Sequence, residues 1–244
     1  LGAVIVITAG FKEVGREGYF LEEELKRLAK EHNIALLGPN CLGLINTPSK
    51  MNSSFAAGYP IEGKVAFFSQ SGAMCVASLD WALQQNMGFS SFISLGNKAV
   101  IGETDMLAYL KDDPNTSVIL GYMESVDHGQ DFIRMAQEVT RDKPVIVIKA
   151  GSTAAGAKAA SSHTGAMAGS EQAFNAAFKK GGVIQVHEMG TLFNLAQAFS
   201  CQPLPTGPNL AVVTNSGGPG ILAADACENS LLHMASLTGE TTDK

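Results

Sequence analysis

The chain has 244 residues, of which 45% are hydrophobic, and at roughly 150 residues a domain this length gives between one and two domains with a real core. Charged residues make up 16% and there are 26 glycines, a composition that excludes a disordered chain. Seventeen basic against 23 acidic residues give a net charge of -6, which argues against nucleic acid or an anionic membrane as the main partner.

The cysteines predict neither a zinc site nor a disulfide framework. They are Cys41, Cys75, Cys201 and Cys227. They form no CxxC pair and have no histidine at metal-binding spacing, so we expect no metal ligands and a reducing, cytoplasmic setting. No apolar run approaches the roughly 18 residues of a membrane span, and the N-terminus lacks the charged region of a signal peptide.

The first block of the chain predicts a strand at Val4–Thr8, an amphipathic helix at Tyr19–Glu31 and a second strand at Ile34–Leu37. A loop rich in small residues, Asn46–Gly63, follows and predicts a domain boundary. Because Leu1 is followed almost at once by a strand, we expect the chain to begin inside a domain.

The second block alternates strands with helices. The predicted strands are Lys64–Phe68, Ser91–Leu95, Ser117–Met123 and Pro144–Lys149, and the predicted helices are Gly72–Gln85, Glu103–Leu110 and Gly129–Thr140. This alternation implies right-handed βαβ crossovers and a parallel sheet covered on both faces.

A loop of small residues, Ala150–Gly169, opens the third block. Further elements are predicted at Glu171–Lys180 (helix), Val183–Val186 (strand), Met189–Ala198 (helix), Leu210–Thr214 (strand) and Gly218–Cys227 (helix). A Pro/Gly linker at 201–208 separates the last two of these elements from the rest. We therefore predict the C-terminal part of one domain at 1–48, a whole domain at 60–203 and the start of a third at 208–244.

Two strand-to-helix turns are rich in small residues: Ser69-Gln-Ser-Gly72 and Asn215-Ser-Gly-Gly-Pro-Gly220. Such a turn leaves unpaired N–H groups at the positive end of a helix dipole and can cradle a phosphate. Either turn alone is equally typical of an ordinary capped helix after a strand. Two in consecutive α/β units favour phosphate binding.

Two further residues are candidates for chemistry. His163 lies in a loop made almost wholly of small residues, which leaves an imidazole accessible but is also typical of a plain surface loop. Glu124 follows an apolar strand, where carboxylates of open α/β sheets point into the ligand crevice. Alternatively, it is simply the first polar residue of a loop.

Taken together, these motifs resemble those of the NDP-forming acyl-CoA synthetases. The match rests on Gly38-Pro-Asn-Cys-Leu-Gly43, Ser69-Gln-Ser-Gly72, Glu124, Ser162-His-Thr-Gly165 and Asn215-Ser-Gly-Gly-Pro-Gly220, in this order over essentially the whole chain. The ADP-forming acetate–CoA ligases are the nearest group, and the α subunit of succinyl-CoA synthetase is related. The resemblance implies the end of a Rossmann-like CoA-binding domain, a flavodoxin-like parallel-sheet domain and the start of a second one.

The resemblance also implies a reaction in three transfers. Acyl-CoA and phosphate give acyl phosphate and CoA, the phosphoryl group moves to His163, and the phosphohistidine phosphorylates ADP. An imidazole suits this role because it is a good nucleophile and a good leaving group near neutral pH. In this scheme Glu124 orients the ring, while Ser71 and Gly72 on one turn and Asn215, Gly217 and Gly218 on the other hold phosphate.

Cofactor and partner expectations follow from the same resemblance. Thr8, Ala9, Gly10, Asn40 and Cys41 correspond to positions that line the CoA site. ATP or ADP with Mg²⁺ would bind an ATP-grasp subunit or fused domain outside this chain, without which we expect no turnover. We expect an oligomer.

Two functions from different classes stay open: the catalytic part of such a ligase, and a non-catalytic acyl-CoA-sensing domain of a protein acetyltransferase or regulator. His163, Glu124 and both turns favour the ligase. The substrate is expected to be acetate or another small monocarboxylate, because Val76 stands in the first helical turn after Ser71, where succinate-using relatives carry a polar aromatic.

Overall fold

The computed structural model describes residues 2–151 and 171–242. The chain divides into two compact units, Leu1–Gln202 and Pro203–Lys244. The expected histidine loop, with His163, lies outside the described residues. The predicted three-domain division stays a prediction.

Strands and helices alternate along most of the chain. The strands are β1 (Ala3–Ile5), β2 (Ala35–Leu37), β3 (Gly43–Asn46), β4 (Met51–Ser54), β5 (Glu62–Ser69), β6 (Phe89–Ser94), β7 (Val118–Met123), β8 (Val145–Lys149), β9 (Ile184–Val186), β10 (Asn209–Leu210) and β11 (His233–Met234). The helices are α1 (Arg16–Glu31), α2 (Gly72–Gln84), α3 (Glu103–Asp112), α4 (Gly129–Val139), α5 (Glu171–Gly181), α6 (Met189–Cys201), α7 (Gly217–Glu228) and α8 (Gly239–Thr242). A 3₁₀ turn, Lys12–Val14, precedes α1.

One large sheet organises the first unit, with strand order β4-β3-β6-β5-β7-β8-β9. Strands β6, β5, β7, β8 and β9 are parallel, in the order typical of flavodoxin-like folds. The predicted flavodoxin-like parallel sheet is confirmed. Because β5 lies between β6 and β7, the strand order reverses at β5, and ligands of open α/β sheets bind at such a switch point.

The alternation of side chains along β5 explains why helices cover both faces of this sheet. Ala66 and Phe68 face a core formed with α3, α4 and α5. Val65 and Phe67 face a second core formed with α2 and α6. All four side chains are at most 1% exposed, and burial on both faces gives parallel strands their continuous apolar sequences.

The segment 46–63 is not the predicted loop. It contains β4, and β3 pairs antiparallel with both β4 and β6, so the hairpin extends the main sheet. The sequence of β4, Met51-Asn-Ser-Ser54, is polar because it is an edge strand with exposed side chains, and a polar four-residue run carries no periodic apolar signal.

The N-terminal strands β1 and β2 pair in parallel. A small core is formed by Ala29 of α1, Leu36 of β2 and Ala99, which lies between β6 and α3. The loops that follow β1 and β2 therefore lie at the same edge of this two-stranded sheet.

In the second unit, β10 and β11 pair in parallel around α7. Strand β11 is too short and too exposed to be recognised in the sequence. Across the described ranges, no helix has the length and apolarity needed to cross a membrane. Within the same ranges, no three His, Cys, Asp or Glu side chains are grouped to hold a metal ion.

Candidate active site

The turn between β5 and α2 is held by its own hydroxyl groups. Ser69 Oγ donates to Ser71 O at 2.8 Å and accepts from Ser71 N at 3.0 Å. Ser71 is the N-cap of α2, and its Oγ accepts from Met74 N at 3.3 Å. Apart from the adjacent residues and the backbone of its own helix, no described atom lies within 4 Å of where a Cβ on Gly72 would stand. This glycine therefore leaves the helix N-terminus open to a ligand.

Glu124 lies beside this turn, directly after β7. The side chain of Gln70 bridges the two, because Gln70 Oε1 accepts from Glu124 N at 2.7 Å and from Ser125 N at 2.9 Å. Gln70 Nε2 donates to Ser125 O at 2.9 Å. The structure thus brings the predicted residues Ser71, Gly72 and Glu124 to one edge of the sheet, at the switch point.

An ion pair that the sequence did not predict lies behind Gln70. Lys98 Nζ and Glu103 Oε2 are 2.9 Å apart, and the two side chains are 6% and 3% exposed. Glu103 Oε2 also accepts from Gln70 Nε2 at 3.2 Å, which connects the pair to the turn. The sequence offers one indication of Lys98, namely its position in the loop after a buried strand, β6.

The charge of Glu124 affects two neighbouring groups. Burial raises the pKa of Tyr122, and the Glu124 carboxylate adds to that effect. Burial lowers the pKa of Lys149, whereas Glu124 opposes this shift. Lys149 ends β8 beside Met123, and its Nζ lies 4.5 Å from the centre of the Phe174 ring and donates to Ala150 O. A buried cation therefore lies near the Glu124 carboxylate.

One nucleophile near the turn is ruled out. Cys75, in the first turn of α2, is fully buried. Burial raises the pKa of this thiol to about 12. Because the thiolate is the reactive form, Cys75 is inert near neutral pH.

The second predicted turn, in the second unit, has the same internal bonding as the first. Thr214 Oγ1 donates to Ser216 O at 3.1 Å and accepts from Ser216 N at 3.0 Å, as Ser69 does with Ser71. Asn215 lies between them, as Gln70 lies between Ser69 and Ser71. Apart from the adjacent residues and the backbone of its own helix, a Cβ on Gly217 or Gly218 would meet no described atom within 4 Å.

The residues expected to line a CoA site converge after β1 and β2. Asn40 N donates to Thr8 O at 3.0 Å, which joins the two loops. Thr8, Ala9 and Asn40 are exposed, and apart from the adjacent residues no described atom stands within 4 Å of a Cβ on Gly10. Exposed backbone and an amide side chain suit an extended, amide-containing ligand such as CoA. Cys41 is 3% exposed, and its thiol donates to Val6 O at 3.4 Å.

Asn97, next to Lys98, connects the N-terminal segment to the loop after β6. This residue was not predicted from the sequence. Its Nδ2 donates to Glu13 Oε2 at 2.5 Å and to Glu22 Oε2 at 2.8 Å. Its Oδ1 accepts from Asn40 Nδ2 at 3.3 Å. Burial would raise the pKa of Glu13, but hydrogen bonds from Asn97 and from the Gly10 backbone hold it below its usual value.

Comparison with known proteins identifies the family of the chain. Residues 62–199 match the succinyl-CoA ligase like flavodoxin domain family. The chain is 49% identical to the ADP-forming acetate–CoA ligase I of Archaeoglobus fulgidus over 98% of its own length and 35% of that protein. It is 47% identical to the ADP-forming 4-hydroxybutyrate–CoA ligase of Nitrosopumilus maritimus, over 96% of its length and 34% of that protein.

A solved structure is similar over nearly the whole chain. The dinucleotide forming acetyl-coenzyme A synthetase 1 of Ca. Korarchaeum cryptofilum, in complex with phosphate and ADP, is 40% identical with a TM-score of 0.90. The alignment covers 97% of this chain and 51% of that one. The chain spans about a third of the two curated relatives and half of this structure. With its flavodoxin-like sheet and matched motifs, the chain belongs to the NDP-forming acyl-CoA synthetase family.

Proposed function

We propose that this chain is the phosphohistidine-bearing part of an NDP-forming acyl-CoA synthetase that interconverts acyl-CoA, ADP and phosphate with a carboxylic acid, CoA and ATP. The observation that carries the proposal is the convergence of the open α2 N-terminus and Glu124 at the switch point, bridged by Gln70. The acid is acetate or another small monocarboxylate. The relatives described above are named as ligases and synthetases, and none supports a non-catalytic sensor.

The α2 turn acts on phosphate in the first transfer. A phosphate oxygen attacks the thioester carbonyl, the C–S bond breaks, and the products are acyl phosphate and CoA. The N–H group of Gly72 and the hydroxyl group of Ser71 stabilise the phosphate charge together with the helix dipole. Asn215, Gly217 and Gly218 offer donors of the same kind on the second unit.

His163 and Glu124 act in the second and third transfers. An imidazole nitrogen of His163 attacks phosphorus, the bond to the acyl oxygen breaks, and the carboxylate leaves. Glu124 accepts a hydrogen bond from the other ring nitrogen, fixes the tautomer and balances the imidazolium charge. The phosphoryl group then passes from His163 to ADP.

CoA and the nucleotide require other surfaces. We assign CoA to the edge that Thr8, Ala9, Gly10, Asn40 and Cys41 form, with the buried Cys41 contributing backbone and not thiol. ADP or ATP with Mg²⁺ belongs to an ATP-grasp module, separate or fused. The active enzyme is an assembly of this chain with that module, in the cytoplasm.

The deciding experiment is phosphorylation of the full-length ligase, including its ATP-grasp module, with labelled ATP and Mg²⁺. We expect label that is lost in acid, survives alkali and is absent from His163→Asn. His32→Asn, which changes an exposed histidine at the end of α1, before β2, is the matched control and should label normally. Label that persists in His163→Asn, or that survives acid, would rule the proposal out. Acyl-CoA binding without any label would favour the sensor.

A further inference from the structure

The loop that carries Glu124 is held by the side chains of Gln70, Lys98 and Glu103. Gln70, after β5, bonds the backbone of residues 124 and 125. Lys98, after β6, reaches Ser125 Oγ at 3.1 Å and Asp127 Oδ2 at 3.2 Å. Glu103 Oε1 accepts from Asp127 N at 3.2 Å. Three side chains thus anchor residues 124, 125 and 127.

The orientation of the Gln70 amide is fixed by its partners. Its oxygen faces two N–H donors, and its nitrogen faces a carbonyl and the Glu103 carboxylate. A flipped amide would set donors against donors and acceptors against acceptors. Glutamine is therefore the side chain that suits this position, and the isosteric glutamate would place a second carboxylate against Glu103.

The buried ion pair makes hydrogen bonds beyond its own contact. Replacing a buried pair by apolar side chains is often neutral or stabilising, so such a pair is weak evidence for a stabilising role. Here the remaining hydrogen-bonding capacity of Lys98 and Glu103 is directed at residues 125 and 127 and at Gln70. These bonds fix the geometry of the loop next to Glu124.

We propose that Gln70, backed by the Lys98–Glu103 ion pair, is a positioning residue that fixes Glu124 relative to the phosphate turn. This inference rests on the proposed function. Gln70 suits the role because its backbone belongs to the turn and its side chain holds the Glu124 loop. Misplacing a catalytic group by about 1 Å costs on the order of 100-fold in rate.

The test is single-turnover phosphorylation of the full-length ligase by labelled ATP. We expect Gln70→Glu, Gln70→Ala and Glu103→Gln to slow labelling by about 10- to 100-fold, with smaller changes in KM for ATP. Lys111→Met is the control, since it removes a surface ion pair with Glu138 at the opposite end of α3 from Glu103. It should label at the normal rate.

A double-mutant cycle separates positioning from general structural damage. Gln70→Ala should cause little further loss in a Glu124→Ala background, because no hydrogen-bonding side chain is left at position 124 to be positioned. Equal fold-losses in both backgrounds, or normal labelling of Gln70→Glu, would overturn the inference. If the Gln70 variants fail to fold, Asp127→Asn, at a half-exposed side chain, must still slow labelling. If the wild type does not label at all, the proposed function itself fails and this inference falls with it.

Discussion

The side-chain oxygen of Gln70 lies 2.7 Å from the backbone nitrogen of Glu124, although 54 residues separate them in the sequence. The two residues follow neighbouring parallel strands, β5 and β7, and parallel strands bring their carboxyl ends to one edge. A side chain that follows β5 thereby fixes the backbone of Glu124 at this edge.

Replacing Glu124 by glutamine should therefore separate chemistry from structure. Glu124→Gln keeps the backbone bonds to Gln70, so we expect the variant to keep the fold. Phosphorylation should slow by roughly one to three orders of magnitude, because an amide can hydrogen-bond the imidazole but cannot balance its charge. Rapid-quench labelling measures this rate, and a wild-type rate in the variant would leave Glu124 as an ordinary loop residue.

A stability profile at alkaline pH should report the burial of Lys149. Its pKa in the folded chain lies below the ordinary 10.5. Between these two pKa values the unfolded chain binds more protons, so the free energy of unfolding rises with pH across that window. Lys149→Met should lose this rise. Urea unfolding, followed through Trp81, gives the difference between wild type and variant.

The control for this profile is Lys179→Met, which removes an exposed lysine of α5. Its profile should parallel that of the wild type. Tyr122 is present in all three proteins, so its contribution cancels in the difference. If the free energy of unfolding of Lys149→Met and of the wild type changed equally with pH, the Lys149 side chain would be exposed to water and not buried.

Substitution by alanine should have different effects at Gly38 and at Gly72. At Gly38 it tests backbone strain, and at Gly72 it tests the access of a ligand to the helix N-terminus. Gly38 has φ +93°, and a Cβ there would stand 2.4 Å from Val6 O. Gly38→Ala should therefore lower the free energy of unfolding by about 1–3 kcal/mol or more. Gly72 has no such strain, so Gly72→Ala should fold normally but bind phosphate more weakly, because the methyl group narrows access to the helix N-terminus.

Chemical denaturation and phosphate titration of the two variants are the measurements. Equal stability of both variants would mean that the backbone at Gly38 relaxes. Unchanged phosphate affinity in Gly72→Ala would remove this turn from the phosphate site.

The sheet and its helices follow from the sequence, whereas the contacts that hold the site do not. Buried strands such as β7 are continuous apolar runs, and amphipathic helices such as α4 show their period directly. The edge strand β4 is polar and short, and its sequence shows no alternation of apolar residues. Its strand conformation depends on pairing with β3, which local sequence does not reveal. The bonds of Gln70 to Glu103 and Ser125 join residues 33 and 55 positions apart, distances over which local periodicity carries no information.

Substrate choice is expected to favour small, largely apolar monocarboxylates over succinate. Val76, in the α2 helix that Ser71 caps, is 44% exposed, so an apolar side chain faces outward close to the turn between β5 and α2. A second carboxylate placed against this surface would lose hydration without gaining a donor, at a cost of several kcal/mol. An added methylene on an apolar acid changes binding by only about 1 kcal/mol. Acetate and propionate should therefore differ little, and succinate should be the poorest substrate.

The measurement is kcat/KM of the full-length ligase for acetate, propionate, phenylacetate, 4-hydroxybutyrate and succinate. Val76→Thr keeps the shape of the side chain and adds a hydroxyl group, so it should narrow the gap between acetate and 4-hydroxybutyrate if this surface contacts the acyl chain. Leu83→Thr, at an exposed position near the other end of α2, is the matched control and should leave the ratios unchanged. Succinate as the best substrate of the wild type would contradict the prediction, because it would require a cationic partner for the second carboxylate that Val76 does not provide.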